Sequence, residues 1–143
     1  MIPSHLKALF SALLLIPALY CCAVPGENDN SNGNRLAPKA FQEAVVNTPS
    51  GTLVDVRSGD EFEQKGHLKG AYVIEWGAND FEIRLRNLDK LKPVFVYCQS
   101  GRRSSEAAAK MRELGFTRVF ELDGGIEAWK KDNLPVEMKI GRE

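Results

Sequence analysis

The run Val94-Phe95-Val96-Tyr97 carries no charged side chain, follows Pro93 and ends at a cysteine. A run this short and this apolar reads as a strand buried on both faces, which an alternating, half-solvated strand does not resemble. Two more runs share its character, Thr52-Leu53-Val54-Asp55-Val56 and Ala71-Tyr72-Val73-Ile74, and Val119-Phe120-Glu121-Leu122 is a fourth. Helical patterns separate them. Pro38 to Val46 places Phe41, Ala44 and Val45 on one face, and Asn79-Asp80 is positioned to cap a helix bearing Phe81, Leu85 and Leu88. Ser104 to Leu114 turns Ala107, Ala108, Met111 and Leu114 inward and stops at Gly115, and a last helix holds Ile126 and Trp129. Strands separated by helices predict an α/β fold, a parallel sheet with helices on both faces. Ligands of such sheets bind at the carboxyl ends of the strands, where Asp55, Cys98 and Asp123 fall.

With 143 residues, 43% hydrophobic and 27% charged, the chain suits one globular domain. Its first residues differ from the rest. No residue from Ala8 to Pro25 is charged, leucines dominate, and Lys7 precedes the stretch, a pattern that predicts an export signal over residues 1–22. Three processing routes fit: lipidation at Cys22, since Leu19-Tyr20-Cys21-Cys22 resembles a lipoprotein signal; cleavage after Ala23; or an uncleaved anchor. Each places the domain outside the cytoplasm, in the periplasm or on a membrane facing it. Residues 23–37, rich in Asn and Gly, read as a flexible polar linker, residues 38–137 as the domain, and 138–143 as a tail. Without residues 1–22 the chain holds 18 Lys and Arg against 19 Asp and Glu. That balance gives no reason to expect a nucleic acid partner, and the membrane enters only through the N-terminus.

Once Cys21 and Cys22 are assigned to the signal, Cys98 is the one thiol of the domain, so an intramolecular disulfide has no second partner there. An exported domain with a single cysteine either buries it inertly or uses it. The following residues, Gln99-Ser100-Gly101-Arg102-Arg103, favour use. A strand end, a short loop with a glycine and a helix start bring backbone N–H groups, a helix dipole and two arginines toward the sulfur, all of which favour its anion. A free cysteine, with a pKa of about 8.5, is mostly protonated at neutral pH. His67 and Cys98 are the only soft ligands outside the signal region, which argues against a metal site, and no glycine loop for a nucleotide is present. No cofactor is expected.

Taken together, these residues resemble the rhodanese-like family. Leu53-Val54-Asp55-Val56-Arg57 with Glu61-Phe62 and Gly66-His67-Leu68-Lys69-Gly70-Ala71 is similar to that family's N-terminal signature, and Val94 to Ser104 to its active-site loop. Leu122-Asp123-Gly124-Gly125-Ile126-Glu127-Ala128-Trp129 is similar to its C-terminal signature. The resemblance implies a three-layer fold around a five-stranded parallel sheet. It further implies a sulfurtransferase whose cysteine carries a sulfane sulfur as a persulfide, taken from thiosulfate or a related small anion and passed to cyanide or a thiol. Arg103 matches the position that holds an oxyanion, Arg102 lies toward the rim, and Gln99 stands where many members have arginine. Export exposes the thiol to oxidation, so a thiol-redox partner is expected.

Asp55 and Arg57 are read as scaffolding, Arg57 pairing with Glu61 and Asp55 bonding loop N–H groups. The resemblance places His67 in a structural turn, and Asp123 is read as the cap of the last helix. Two other functions compete: a non-catalytic carrier or docking module, and a cysteine phosphatase or arsenate reductase. The second needs five residues between cysteine and arginine, and here four separate Cys98 from Arg103.

Overall fold

The computed structural model describes residues 34–138. Five strands and five helices alternate: β1 (Arg35–Leu36), α1 (Pro38–Val46), β2 (Thr52–Asp55), α2 (Gly59–Lys65), β3 (Tyr72–Val73), α3 (Phe81–Leu85), β4 (Val94–Tyr97), α4 (Arg102–Glu113), β5 (Val119–Leu122) and α5 (Gly125–Lys131). The strands form one sheet in the order β1-β5-β4-β2-β3, and every pairing is parallel. The central strand is β4, as its four buried residues require.

Alternation along the strands sorts the core into two clusters. Val54, Val56, Val94, Val96, Cys98 and Val119 pack with Phe81 and Leu85 of α3 and with Ala107, Ala108 and Met111 of α4. Leu53, Phe95, Tyr97 and Leu122 face the other way, against Phe41 of α1 and Ile126 and Trp129 of α5. Burial of each such large side chain contributes about 1.5–3 kcal/mol. The parity of β4 therefore assigns Cys98 to the α3/α4 side of the sheet.

Three local differences from the sequence reading have physical causes. Arg35 and Leu36, expected in the linker, form an edge strand whose register pairs them with Glu121 and Leu122; two residues carry too little pattern to announce a strand. Helix α4 begins at Arg102, two residues early, because Gly101 turns the chain with φ 100° immediately before it. The N-cap of α5 is Gly124, with no side-chain cap, so Asp123 does not cap that helix. Instead its N–H donates to the Leu36 carbonyl at 2.9 Å, and its carboxylate lies 3.9 Å from Arg35. The expected signal, Cys22 and most of the expected linker lie outside the described residues.

Candidate active site

Cys98 follows the last residue of β4, and it is the one free thiol among the described residues. Only 1% of it is exposed. The Gly101 N–H nevertheless donates to Sγ at 3.1 Å. The positive φ of Gly101 folds that amide back over the sulfur, a conformation that costs a residue with a Cβ. The Ser104 hydroxyl, fully buried in the first turn of α4, lies 3.5 Å from Sγ and 3.0 Å from the Gly101 carbonyl, so its single proton serves one acceptor at a time. An inward-facing serine six positions along from the cysteine is the sequence signal for this contact.

Carbonyls of the same segment bond outward. Ile126 N–H donates to the Cys98 carbonyl at 2.9 Å and Glu127 N–H to the Gln99 carbonyl at 3.1 Å, which docks the first turn of α5 on the loop. The contact is close enough that a methyl group at Gly125 would lie 2.5 Å from the Gln99 oxygen. Gln99 adds a side-chain bond from Nε2 to Glu127 Oε1 at 2.9 Å. Thus the sequence 98–103 and the start of α5 form one rigid unit, with carbonyls turned to the helix and at least one N–H turned to sulfur.

Neither arginine stands free. Both Nη groups of Arg103 donate to Glu61, at 2.7 and 2.9 Å, and Arg102 donates to Glu106 at 3.0 Å. Glu106 also accepts from Trp76 Nε1 at 2.8 Å. The hydrogen bonds from Arg103 hold the Glu61 pKa down to about 2, against the opposing effect of burial and with help from Ser58. Reciprocally, the bonds to Glu61 raise that of Arg103, and the charge on Cys98 adds in the same direction.

The pairing of Arg57 differs from the one expected. Arg57 binds Asp55, not Glu61: Nε lies 3.0 Å from both carboxylate oxygens, Nη2 lies 2.7 Å from Oδ2, and the Arg57 N–H donates to Oδ1 at 2.9 Å. Residues two apart on an extended chain share a face, so these two meet before Glu61 is in reach. Both side chains are fully buried. A further bond runs from Nη2 to the Gly66 carbonyl at 2.8 Å, and the guanidinium sits 5.7 Å from the Tyr97 ring centroid. Burial works against the Arg57 charge, yet the bonds and attraction of Asp55 prevail and its pKa is raised. Burial, and then the charge of Asp55, push the Tyr97 phenol up, so it stays protonated while accepting from Leu68 N–H at 3.1 Å. Asp55 is thereby occupied by Arg57 and does not bond the loop amides.

His67 stacks on Phe62, with ring centroids 3.8 Å apart, and its backbone exchanges two 2.8 Å bonds with Glu137. His67 thus forms an isolated antiparallel bridge with the C-terminal segment, and the turn follows it at Lys69 and Gly70. Two clefts of about 370 Å³ border α4: Arg35, Ser100, Gly101, Arg102 and Asp123 line one at its start, and Trp76, Ala78, Ile83, Arg86 and Lys110 line the other.

A parallel sheet in this order, with a cysteine loop at the end of its central strand, is the arrangement of a rhodanese-like domain, and the model of that family matches residues 37–132. The chain belongs to the rhodanese-like family. It is 32% identical over 103 residues to a sulfurtransferase of Allochromatium vinosum, covering 72% of this chain and 94% of the relative. It is 34% identical over 96 residues to the thiosulfate sulfurtransferase GlpE of Vibrio cholerae, covering 66% and 87%. Among solved structures, the BH2092 protein of Bacillus halodurans superposes with a TM-score of 0.64 at 31% identity, covering 75% of this chain and 78% of the other. The family and these relatives make the chain a sulfurtransferase-type enzyme.

Proposed function

We propose that this protein moves a sulfane sulfur from a small donor such as thiosulfate to a thiophilic acceptor, with Cys98 as the carrier of the transferred atom. One observation carries this reading: the Gly101 N–H aimed at a sulfur that is otherwise enclosed. A buried, inert cysteine has no need of a left-handed glycine directing an amide to it, whereas a thiolate and a persulfide are both anions and both gain from it. Arg103 adds positive charge nearby, and the N-terminus of the 12-residue α4 adds the field of its unpaired amides.

The chemistry is two displacements at sulfur. The Cys98 thiolate attacks the outer sulfur of thiosulfate; the new S–S bond forms as the old one breaks, and sulfite leaves with the electron pair. Cyanide or a thiol then attacks the outer sulfur of Cys98–S–S⁻, and the thiolate is restored as thiocyanate or the acceptor's persulfide departs. Gln99, Ser100 and Gly101 contribute the backbone of the cradle. Sulfur needs little room, which suits a nucleophile only 1% exposed. The apolar stretch before Pro25 supports export, with lipidation at Cys22 as one route, and an exported thiol calls for a reducing protein partner.

Mass spectrometry of pre-reduced protein mixed with thiosulfate or an alkyl persulfide tests the reading. The expected result is a gain of one sulfur atom, lost on adding cyanide and absent in Cys98→Ser. Failure of both donors to load wild type, beside a control sulfurtransferase that loads, overturns it. Loading without turnover to small acceptors would assign the protein as a carrier instead.

A further inference from the structure

Three side chains of the loop donate to carboxylates. Gln99 is on Glu127, Arg102 on Glu106 and Arg103 on Glu61. Glu61, Glu106 and Glu127 thereby occupy both arginines and the amide of the loop. Glu61 is the tightest of these acids. Its two oxygens engage both Nη groups of Arg103 in the fork geometry that a sulfonate would use, and its side chain is only 19% exposed. It is also pinned from behind: Ser58 N–H and Oγ both donate to Oε2 at 3.3 Å, while Glu61 N–H donates to Ser58 Oγ, forming a capping box at the start of α2. A carboxylate so held does not swing aside at little cost.

We infer that Glu61 is a specificity-determining residue that withholds Arg103 from anionic donors, so that the site loads from a neutral or weakly charged alkyl persulfide in preference to the thiosulfate dianion. The inference rests on the sulfur-transfer reading and sharpens its substrate class. To bind thiosulfate through Arg103, the donor must displace Glu61 and leave that carboxylate without its counter-charge, beside a sulfonate and a thiolate. Like charges placed together in this way oppose binding. An alkyl persulfide carries at most a single negative charge against the two of thiosulfate, and it reacts as its neutral form R–S–SH, which makes no claim on Arg103. Cys98 thiolate attacks the terminal sulfur; the new S–S bond forms as the donor's own S–S bond breaks, R–S⁻ leaves with the electron pair and takes the proton of the transferred SH, giving Cys98–S–S⁻ and R–SH. Arg103, still on Glu61, acts here as a fixed positive charge beside Cys98 and takes no part in holding the donor.

The substitution Glu61→Gln separates charge from structure, because glutamine at this third helical position sustains a capping box. Loading of pre-reduced wild type and variant is measured with thiosulfate and with the persulfide of 2-mercaptoethanol, in low and high salt. Wild type is expected to load from the persulfide at least about tenfold more efficiently than from thiosulfate, and Glu61→Gln to raise kcat/KM for thiosulfate roughly tenfold, chiefly through KM and less so in high salt. The persulfide rate of the variant should stay within about twofold of wild type, since that donor makes no claim on Arg103. A merely structural Glu61 would lower both rates together. Wild type preferring thiosulfate overturns the inference even if the variant does not fold, as does a folded Glu61→Gln whose thiosulfate kcat/KM is unchanged or reduced. No adduct from either donor would instead sink the sulfur-transfer reading itself.

Discussion

At the scale of residues, the buried pair Asp55–Arg57 shows how a two-residue spacing decides partners. The sequence suggested Glu61 for Arg57 as a scaffolding ion pair, but Arg57 lies on the extended run out of β2, where its neighbour on the same face is Asp55. Removing one member leaves an unpaired charge in a fully buried place, so Asp55→Ala should cost about 3–5 kcal/mol, read as a lower urea midpoint. Replacing both by apolar residues of similar volume should cost much less, and equal losses would show that the pair contributes more than mutual neutralisation. Glu61 sets a separate expectation for acid. Its folded pKa of about 2 lies below the ordinary 4.5, so its contribution is complete above pH 4.5 and is lost as pH falls from there toward 2. Thermal melts across that window should fall for wild type and flatten in Glu61→Gln. Cys98 itself was legible because strand, cysteine, glycine and helix are contiguous in the chain. The ties of Arg103 to Glu61, 42 residues away, and of Ser104 to the thiol come from three-dimensional packing, and spacing along the chain does not encode them.

At the scale of elements, the loop owes its shape to α5 as much as to its own sequence. The first turn of that helix takes the Cys98 and Gln99 carbonyls, and it reaches them only because Gly125, at φ 62°, presents no side chain. Gly125→Ala should lift α5 off the loop. Strain of a left-handed residue, about 1–3 kcal/mol, adds to the clash with the Gln99 oxygen. The expected outcome is a melting temperature lower by several degrees and a loss of Cys98 loading larger than the loss of folded protein, measured on the same samples. Proportionate losses would mean that the loop holds its shape unaided. Helices α1, α4 and α5 were readable from helical spacing. Asp123 was misread as a cap because a polar residue before a helix usually serves as one; here the left-handed Gly124 intervenes and turns the carboxylate away toward Arg35.

At the scale of the whole molecule, the sheet is widest where the sequence says least. Strand β1 has two residues, yet it covers the edge of β5: Glu121 N–H donates to the Asn34 carbonyl at 2.6 Å and Asp123 N–H to the Leu36 carbonyl at 2.9 Å. Arg35 bonds the Ser105 hydroxyl on α4, which in turn donates to Glu121 at 2.7 Å, so the edge strand is tied to the helix that follows the cysteine loop. A chain beginning at Ala37 loses these bonds but keeps the Ala37 carbonyl that starts α1. At about 0.5–1.5 kcal/mol for each net hydrogen bond, it should be roughly 2–3 kcal/mol less stable than a chain beginning at Asn34. For a domain of this size that corresponds to a melting temperature lower by roughly 10–20 °C, with β5 newly exposed as an edge and a greater tendency to aggregate. Sulfur loading per folded molecule should not change, because Glu121 keeps Arg112 at 2.9 Å and the loop keeps α5. Equal melting temperatures would show β1 to be dispensable. Lost loading at equal folded fraction would instead make the Arg35–Ser105 tie part of the machinery that holds α4 under Cys98.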